Sequence, residues 1–504
     1  MKNIKIKLLI ILISFGSLLI SCSKEFLDPE APGSILEINY YRNENEAYTG
    51  LVAAYDILSK HSGGFENTIT MFNAGSDDCT GGGAGTVDTT PLNSFSNYTI
   101  NANNIPSSFW NNFYQGIFRA NTLLVKLPSV PMDVNKKARF TAEAKMLRAY
   151  YHFELLRIFR NIPMFIKPST PDDVSTKSQE NPSVVYAQIE KDLLEAIPAL
   201  PQTITNLSEE AGRFTQGAAK ALLGKVYLYQ GNNALAAAQF ADVNGPAGGT
   251  SSYGYKLVPS FASLWSPNNK FNSESIIEIC HSGLSNAGYG NWGSGSDEGN
   301  SVCLMVGPRD YTRIGTTAPD FTFGFSFNPI TQNLYDFMKL DPRFTATIAD
   351  VKALKTANTA NYTPGYQNTG YFLRKFMPNK SDIATGSGNV EINNKQNTYA
   401  IRLADTYLME AEALNGTGAR AQSLLDAVRA RVGLASVPVS INAIRTERRM
   451  ELAGEGHRWF DLVRTGQATT VLASRGFIAG KNEIWPIPFK ETVNTLIVQN
   501  PNYN

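Results

Sequence analysis

The stretch AAKALLGKVYLYQGNNALAAAQFADV, Ala218 to Val243, carries Leu223, Gly224, Tyr227, Ala236, Phe240 and Val243 at the spacings of a tetratricopeptide unit. The small Gly224 lets two helices approach closely, and Tyr227 and Phe240 fill the space between them. A weaker copy recurs at Leu403, Ala404 and Tyr407, then Ala421, Leu425 and Val428, with a longer connection. One such pair cannot bury its own apolar face, so several pairs are expected to stack. The chain therefore reads as mostly α, with tetratricopeptide-like helix pairs forming a scaffold.

Outward from that pair, other helices show the same period. In KKARFTAEAKMLRAYYHFELLRIFR, Phe140, Ala144, Leu147, Tyr151, Leu155 and Ile158 recur at steps of three and four, one apolar stripe that stops at Asn161-Ile162-Pro163. A further helix is predicted from about Ser183 to Ile197, stopped by Pro198. Between about Asn244 and Asn394 the periodicity fails. GPAGGTSSYGY and SGLSNAGYGNWGSGSDEGN are Gly-rich and polar, with single aromatics embedded. Loops of that length are functional or disordered, and the aromatics argue against disorder. The division is a scaffold over 40–243, a loop-rich insertion over 244–394, expected to be the ligand-binding region, and a returning scaffold with a tail over 395–504.

The N-terminus has its own logic. Lys2, Lys5 and Lys7 precede an apolar run from Leu8 to Ile20, too short to span a bilayer. Leu19-Ile20-Ser21-Cys22 then resembles the lipobox of a bacterial lipoprotein signal, which implies removal of residues 1–21 and acylation of Cys22, by palmitate among other chains. Residues 22–39, with Pro29, Pro32 and Gly33, read as a tether. No later apolar run reaches the length of a spanning helix.

The 504 residues are 43% hydrophobic with a formal net charge of +1. That balance gives no electrostatic pull toward nucleic acid. Cys79, Cys280 and Cys303 remain after Cys22. Cys280 with Cys303 is the nearer possible pair, but small buried hydrophobes are the preferred reading of all three. The four histidines, His61, His152, His281 and His457, have no metal-ligand spacing. Cys280-His281 are chain neighbours, which point apart more often than together. No nucleophile elbow or phosphate loop is present, and no cofactor or metal is implied. Asp77-Asp78 and Asp297-Glu298 could contribute to a calcium site, with solvated loop acids the preferred reading.

Four stretches together resemble the SusD/RagB-like family of outer-membrane nutrient-binding lipoproteins. They are WNNFYQGIFRANTLL (Trp110 to Leu124), AEAKMLRAYYHFELLRIFRNIPMF (Ala142 to Phe165), IRTERRMELAGEGHRWFDLVRTG (Ile444 to Gly466), and EIWPIPFKE with the QNPNYN ending. The resemblance implies a lipid-anchored protein at the outward face of the outer membrane, not an enzyme. It would capture an oligosaccharide and pass it to a SusC-like TonB-dependent transporter. A peptide ligand, or a glycan-active enzyme with its site in the insertion, are the alternatives.

From its own residues, Ile444 to Gly466 predicts two short helices joined at a turn by Gly454 and Gly456. Its dense alternating charges read as structural pairs, because so many arginines would keep Glu451 and Glu455 ionised and unsuited to general acid work. Sugar binding needs exposed aromatic planes beside amides, carboxylates or guanidinium groups. Tyr289 and Trp292 qualify, beside Asn286, Asn291, Asp297 and Glu298. Tyr311, with Arg309 and Asp310, forms a second group. Phe95 and Tyr98, after Asp77 and Asp78, form a third. The candidate ligand contacts are thus Tyr289, Trp292, Tyr311, Phe95, Tyr98 and Asp78.

Overall fold

The computed structural model describes residues 40–503; the signal segment, Cys22 and the tether lie outside the described residues. Ten helices carry the architecture: α1 (Glu44–Tyr55), α2 (Ser108–Lys126), α3 (Val134–Phe159), α4 (Pro182–Ala196), α5 (Gln216–Tyr229), α6 (Asn233–Asn244), α7 (Leu403–Ala413), α8 (Gly418–Arg431), α9 (Ile441–Glu451) and α10 (Arg458–Arg464). Helix α3 packs against α2 and α4, α5 against α6, and α6 against α7, which packs on α8. The two tetratricopeptide-like pairs, α5–α6 and α7–α8, are therefore joined through α6 and α7, although more than 150 residues separate them. Among the described residues no helix is long and apolar enough to cross a membrane.

The predicted chemistry of the α5–α6 pair is what holds it. Thr215 caps α5, its hydroxyl accepting from the Ala218 N–H at 3.2 Å. A Cβ at Gly224 would lie 2.8 Å from the Phe240 ring, so this crossing requires glycine. Tyr227 and Phe240 are both buried.

The 244–394 stretch is not loop alone. It carries short helices and five of the six strands found among the described residues: β1 (Ser275–Ile279), β2 (Arg309–Arg313), β3 (Ile348–Asp350), β4 (Ala360–Thr363) and β5 (Tyr371–Leu373), with β6 (Thr398–Arg402) leading into α7. They form three antiparallel pairs, β1–β6, β2–β4 and β3–β5. The β1–β6 ladder sets Ser275 opposite Arg402 and Ile279 opposite Thr398, tying the insertion to the scaffold.

The charged motif forms the two predicted helices, α9 and α10, but its partners come from far along the chain. Glu451 is fully buried, with Arg402 at 2.5 Å, Arg343 at 2.9 Å and Arg431 also paired to it. Glu455 receives Lys375 at 2.7 Å and Arg402 at 2.8 Å. Glu274 of the insertion meets Arg431 at 2.5 Å. The arginines hold Glu451 well below the usual carboxylate range, despite burial, and Glu455 is lowered likewise. Both are ionised and locked, as a structural role requires. Arg458 pairs bidentately with Asp77, at 2.8 and 3.1 Å.

A second knot is aromatic. Trp485 of the WPIPF stretch stacks on Phe72 at 5.0 Å, with Phe95 edge-on at 5.0 Å. The C-terminal segment closes over the end of α3, where the Asn500 side chain donates to the carbonyls of Phe159 at 2.8 Å and Trp485 at 2.7 Å. The three described cysteines are free; Cys79 and Cys303 are buried, whereas Cys280 is exposed and so departs from the buried reading.

Candidate functional site

An open cavity of about 290 Å³ lies where three segments meet. One wall is the Ser59–Glu66 stretch, another is the start of α2 at Ser108 and Asn112, and the third is the loop from Trp292 to Asp297. The Gly-rich composition that removed any helical period from that loop lets it fold back on the first wall. Gly64 and Gly293, both at positive φ, touch backbone to backbone.

Trp292 is half-buried and fixed in place. Its indole N–H donates to the Ser301 hydroxyl oxygen at 2.6 Å, and that oxygen also accepts from the Gly64 N–H at 2.7 Å. Phe65 stands edge-on to the indole at 5.2 Å, Phe325 at 6.1 Å and Tyr289 at 6.1 Å. Tyr289, on a single 3-10 turn, is 48% exposed, so its ring is offered to solvent. The Arg309 guanidinium lies 5.7 Å from the Phe325 ring and donates to the Phe325 carbonyl at 3.0 Å. The result is a rigid aromatic surface with polar groups at its margin.

Those polar groups have divided tasks. Asp297 is buried and works on the loop itself, accepting from the N–H of Gly293 at 2.7 Å and of Gly299 at 3.1 Å. Asn291 accepts from the Gly288 N–H at 2.7 Å and donates to Ser296 at 2.7 Å. Glu298 is exposed overall, but partial desolvation of its carboxyl, then the charges of Asp56 and Asp297, push that carboxyl upward. Lys60 donates to Ser108 at 2.8 Å and sits 4.3 Å from the Phe109 ring centre. Burial lowers its ammonium to about 8. His281 braces the cavity from behind: its Nδ1–H donates to the Glu298 carbonyl at 3.1 Å, and its Nε2 accepts from the Ser62 hydroxyl at 2.7 Å.

Four of the six sequence-derived contacts lie elsewhere. Phe95 is fully buried in the Trp485 knot. Tyr98 is buried against Phe477 and donates to the Gly75 carbonyl. Tyr311 is buried on β2, packed on Phe321 and donating to the Pro319 carbonyl at 2.7 Å. Asp78 is buried and paired with Arg449 at 2.8 Å. Neither Asp77 nor Asp78 is a solvated loop acid, since Asp77 pairs with Arg449 and Arg458 and Asp78 pairs with Arg449. Among the described residues no group of three or more His, Cys, Asp or Glu side chains could hold a metal ion. Phe65, Phe325 and Ser301 join the site without standing among the sequence-derived contacts. Phe65 gave the same signal as Trp292, an aromatic beside glycines in Ser62-Gly63-Gly64-Phe65.

The fold and the site define a class: a tetratricopeptide-like helical scaffold presenting an open aromatic surface on its insertion. The chain belongs to the SusD family. The SusD family model matches residues 328–503, and a model described as starch-binding associating with outer membrane matches residues 72–228. A solved laminarin binding SusD-like protein is 59% identical, with a TM-score of 0.91 over 92% of this chain and 100% of the other. A surface glycan-binding protein A from Bacteroides fluxus is 26% identical, with a TM-score of 0.78 over 92% of this chain and 100% of the other. A SusD-like protein of Formosa agariphila is 26% identical over the whole of both chains.

Proposed function

We propose that this chain is a cell-surface glycan-binding lipoprotein that captures a laminarin-type β-glucan, not an enzyme, and hands it to a TonB-dependent transporter of the outer membrane. The observation that carries the reading is the locked Trp292 edge of an open cavity, with Tyr289 exposed beside it. A sugar presents a C–H face to such rings and hydroxyls to the carboxylates and amides around them. The 59% identical laminarin-binding relative supports the ligand class. The lipobox supports attachment through acylated Cys22, and the family supports delivery to a SusC-like partner. Ligand aromatics fixed before binding cost little entropy on association, which suits capture of a long, weakly held polymer.

The test is calorimetric titration of protein lacking residues 1–22 with oligosaccharides of laminarin, cellulose and starch, and with mixed peptides. Reversible binding to the laminarin series without turnover supports the reading. Preference for peptides, or release of shorter sugars, replaces it.

A further inference from the structure

A second cavity, also of about 290 Å³, shares no lining residue with the Trp292 site. Trp265, Pro267, Arg374, Asn379, Asp382 and Gln396 are among its walls. Arg374 is the unusual member. Its guanidinium lies 4.8 Å from the Phe321 ring centre, and its Nη1 donates to the Met377 carbonyl at 2.8 Å. Those contacts set the plane and one edge of the fork. Yet among the described residues no carboxylate lies within ion-pair distance of it, whereas Arg343, Arg402, Arg448 and Arg464 of the core are all paired. Burial without a partner lowers the Arg374 pKa.

Asp382 is close enough for its charge to act on Arg374 but does not touch it. The carboxylate is itself positioned, accepting from the Asn379 N–H at 3.0 Å. A preset donor fork and a preset acceptor thus face one concavity with a gap between them. Trp265 lines the same cavity and reports on it. Its ring is fixed by Phe376 at 5.7 Å and Tyr399 at 5.9 Å, and its buried indole N–H, like those of Trp459 and Trp485, has no acceptor.

We propose that this cavity is a second carbohydrate subsite, which takes a neutral hexose unit through Arg374 and Asp382. Adjacent sugar hydroxyls would serve both groups: one accepts from the guanidinium while its neighbour donates to the carboxylate. Asp382 opposes an anionic ligand, and Pro267, Pro378 and Met377 supply apolar surface for the ring.

The chain has five tryptophans, so nitrogen-15 labelling gives five indole N–H signals, assigned through Trp265→Phe and Trp292→Phe. The probes are neutral gluco-oligosaccharides, trimer to hexamer, of β-1,3, β-1,4 and α-1,4 linkage. The Trp265 signal should shift with its own midpoint, and still shift in Trp292→Ala. Arg374→Gln should weaken that response at least tenfold while the Trp292 response stays intact. Arg374→Lys, which keeps the charge but loses the fork, should fall between them and serves if Arg374→Gln does not fold. The proposal is overturned if no probe moves the Trp265 signal, if its shift disappears in Trp292→Ala, or if sulfate or glucuronate moves it at lower concentration than any neutral sugar. A silent Trp292 signal with a responsive Trp265 would sink the primary site and leave this one standing.

Discussion

Gly293 and Gly64 meet backbone to backbone: a Cβ on Gly293 would lie 2.9 Å from the Gly64 Cα, and its φ of +75° already excludes most side chains. The loop that carries Trp292 is therefore seated on the Ser59–Glu66 wall only because both residues are glycine. Gly293→Ala should push the loop off that wall and weaken binding of a laminarin oligosaccharide by about 1–2 kcal/mol, through strain and the lost seat. Gly290→Ala is the control, since a Cβ there meets nothing within 4 Å. Equal affinity for both variants in calorimetry would contradict the loop's role.

The charge network predicts the opposite separation of effects. Glu451→Gln leaves Arg402, Arg431 and Arg343 facing a neutral amide in the interior. Removing one partner of a buried pair costs about 3–5 kcal/mol. Chemical denaturation should show that loss. Folded protein should still bind glycan within about twofold, because none of these residues lines the Trp292 cavity. Normal stability with abolished binding would move the motif from scaffold to site.

Much of this architecture was legible in the sequence. The α5–α6 pair and the long α3 announced themselves because a helix repeats its buried face every three or four residues. The turn between α9 and α10 was legible from two glycines inside a charged run. Its partners were not, since Glu274, Arg343 and Lys375 arrive from the insertion and no local pattern encodes a pairing across such distances. Trp292 and Tyr289 stood out because nothing periodic obliged them to be core. The same rule misled at Phe95, where Asn93, Ser94 and Ser96 give a polar look to a helix that is itself buried. At Tyr311 the flanking Asp310 and Thr312 are exposed residues of a strand, while the tyrosine between them turns inward. Asp78 looked solvated because its counter-ion, Arg449, lies 371 residues away.

Acid should destabilise the fold before carboxylates titrate. Burial lowers His281 and His457 to about 4 and His152 to about 3, and puts His61 well below its ordinary value. Above pH 6.5 both folded and unfolded chains hold these rings neutral. Below it the unfolded chain takes up protons that the folded one refuses until about pH 4, so stability is lost across that window. Asp405, held at about 2 by Arg448 and Lys225, extends the loss below pH 4. Glu274, Glu278 and Asp78 are raised by burial and act in the other direction. The four histidines set the sign at mildly acid pH. Denaturation midpoints should hold near pH 7.5 and fall from about pH 6.5 to 5; a flat or rising series over that window would contradict this account.

The anchor is separable from the fold. Cys22→Ala should yield folded protein that no longer carries a palmitate analogue and partitions away from membranes, since acyl chains supply the attachment. Metabolic labelling followed by fractionation reads both. Equal label and equal membrane retention in the variant would remove the lipobox from the account.

The central claim is that the aromatic surface around Trp292 binds the glycan, and calorimetric titration of Trp292→Ala with a laminarin hexasaccharide tests it most directly. The account predicts a loss of about 1–3 kcal/mol, by analogy with aromatic stacking on nucleic-acid bases, or roughly 5- to 150-fold in Kd. The melting temperature should change little, because Trp292 is only half-buried and sits on a loop rather than in the helical core. Tyr289→Ala should weaken binding in the same direction but less than additively with Trp292→Ala, as neighbours on one surface share a ligand. Wild-type affinity in a folded Trp292→Ala protein would contradict the claim and place the glycan elsewhere on the molecule.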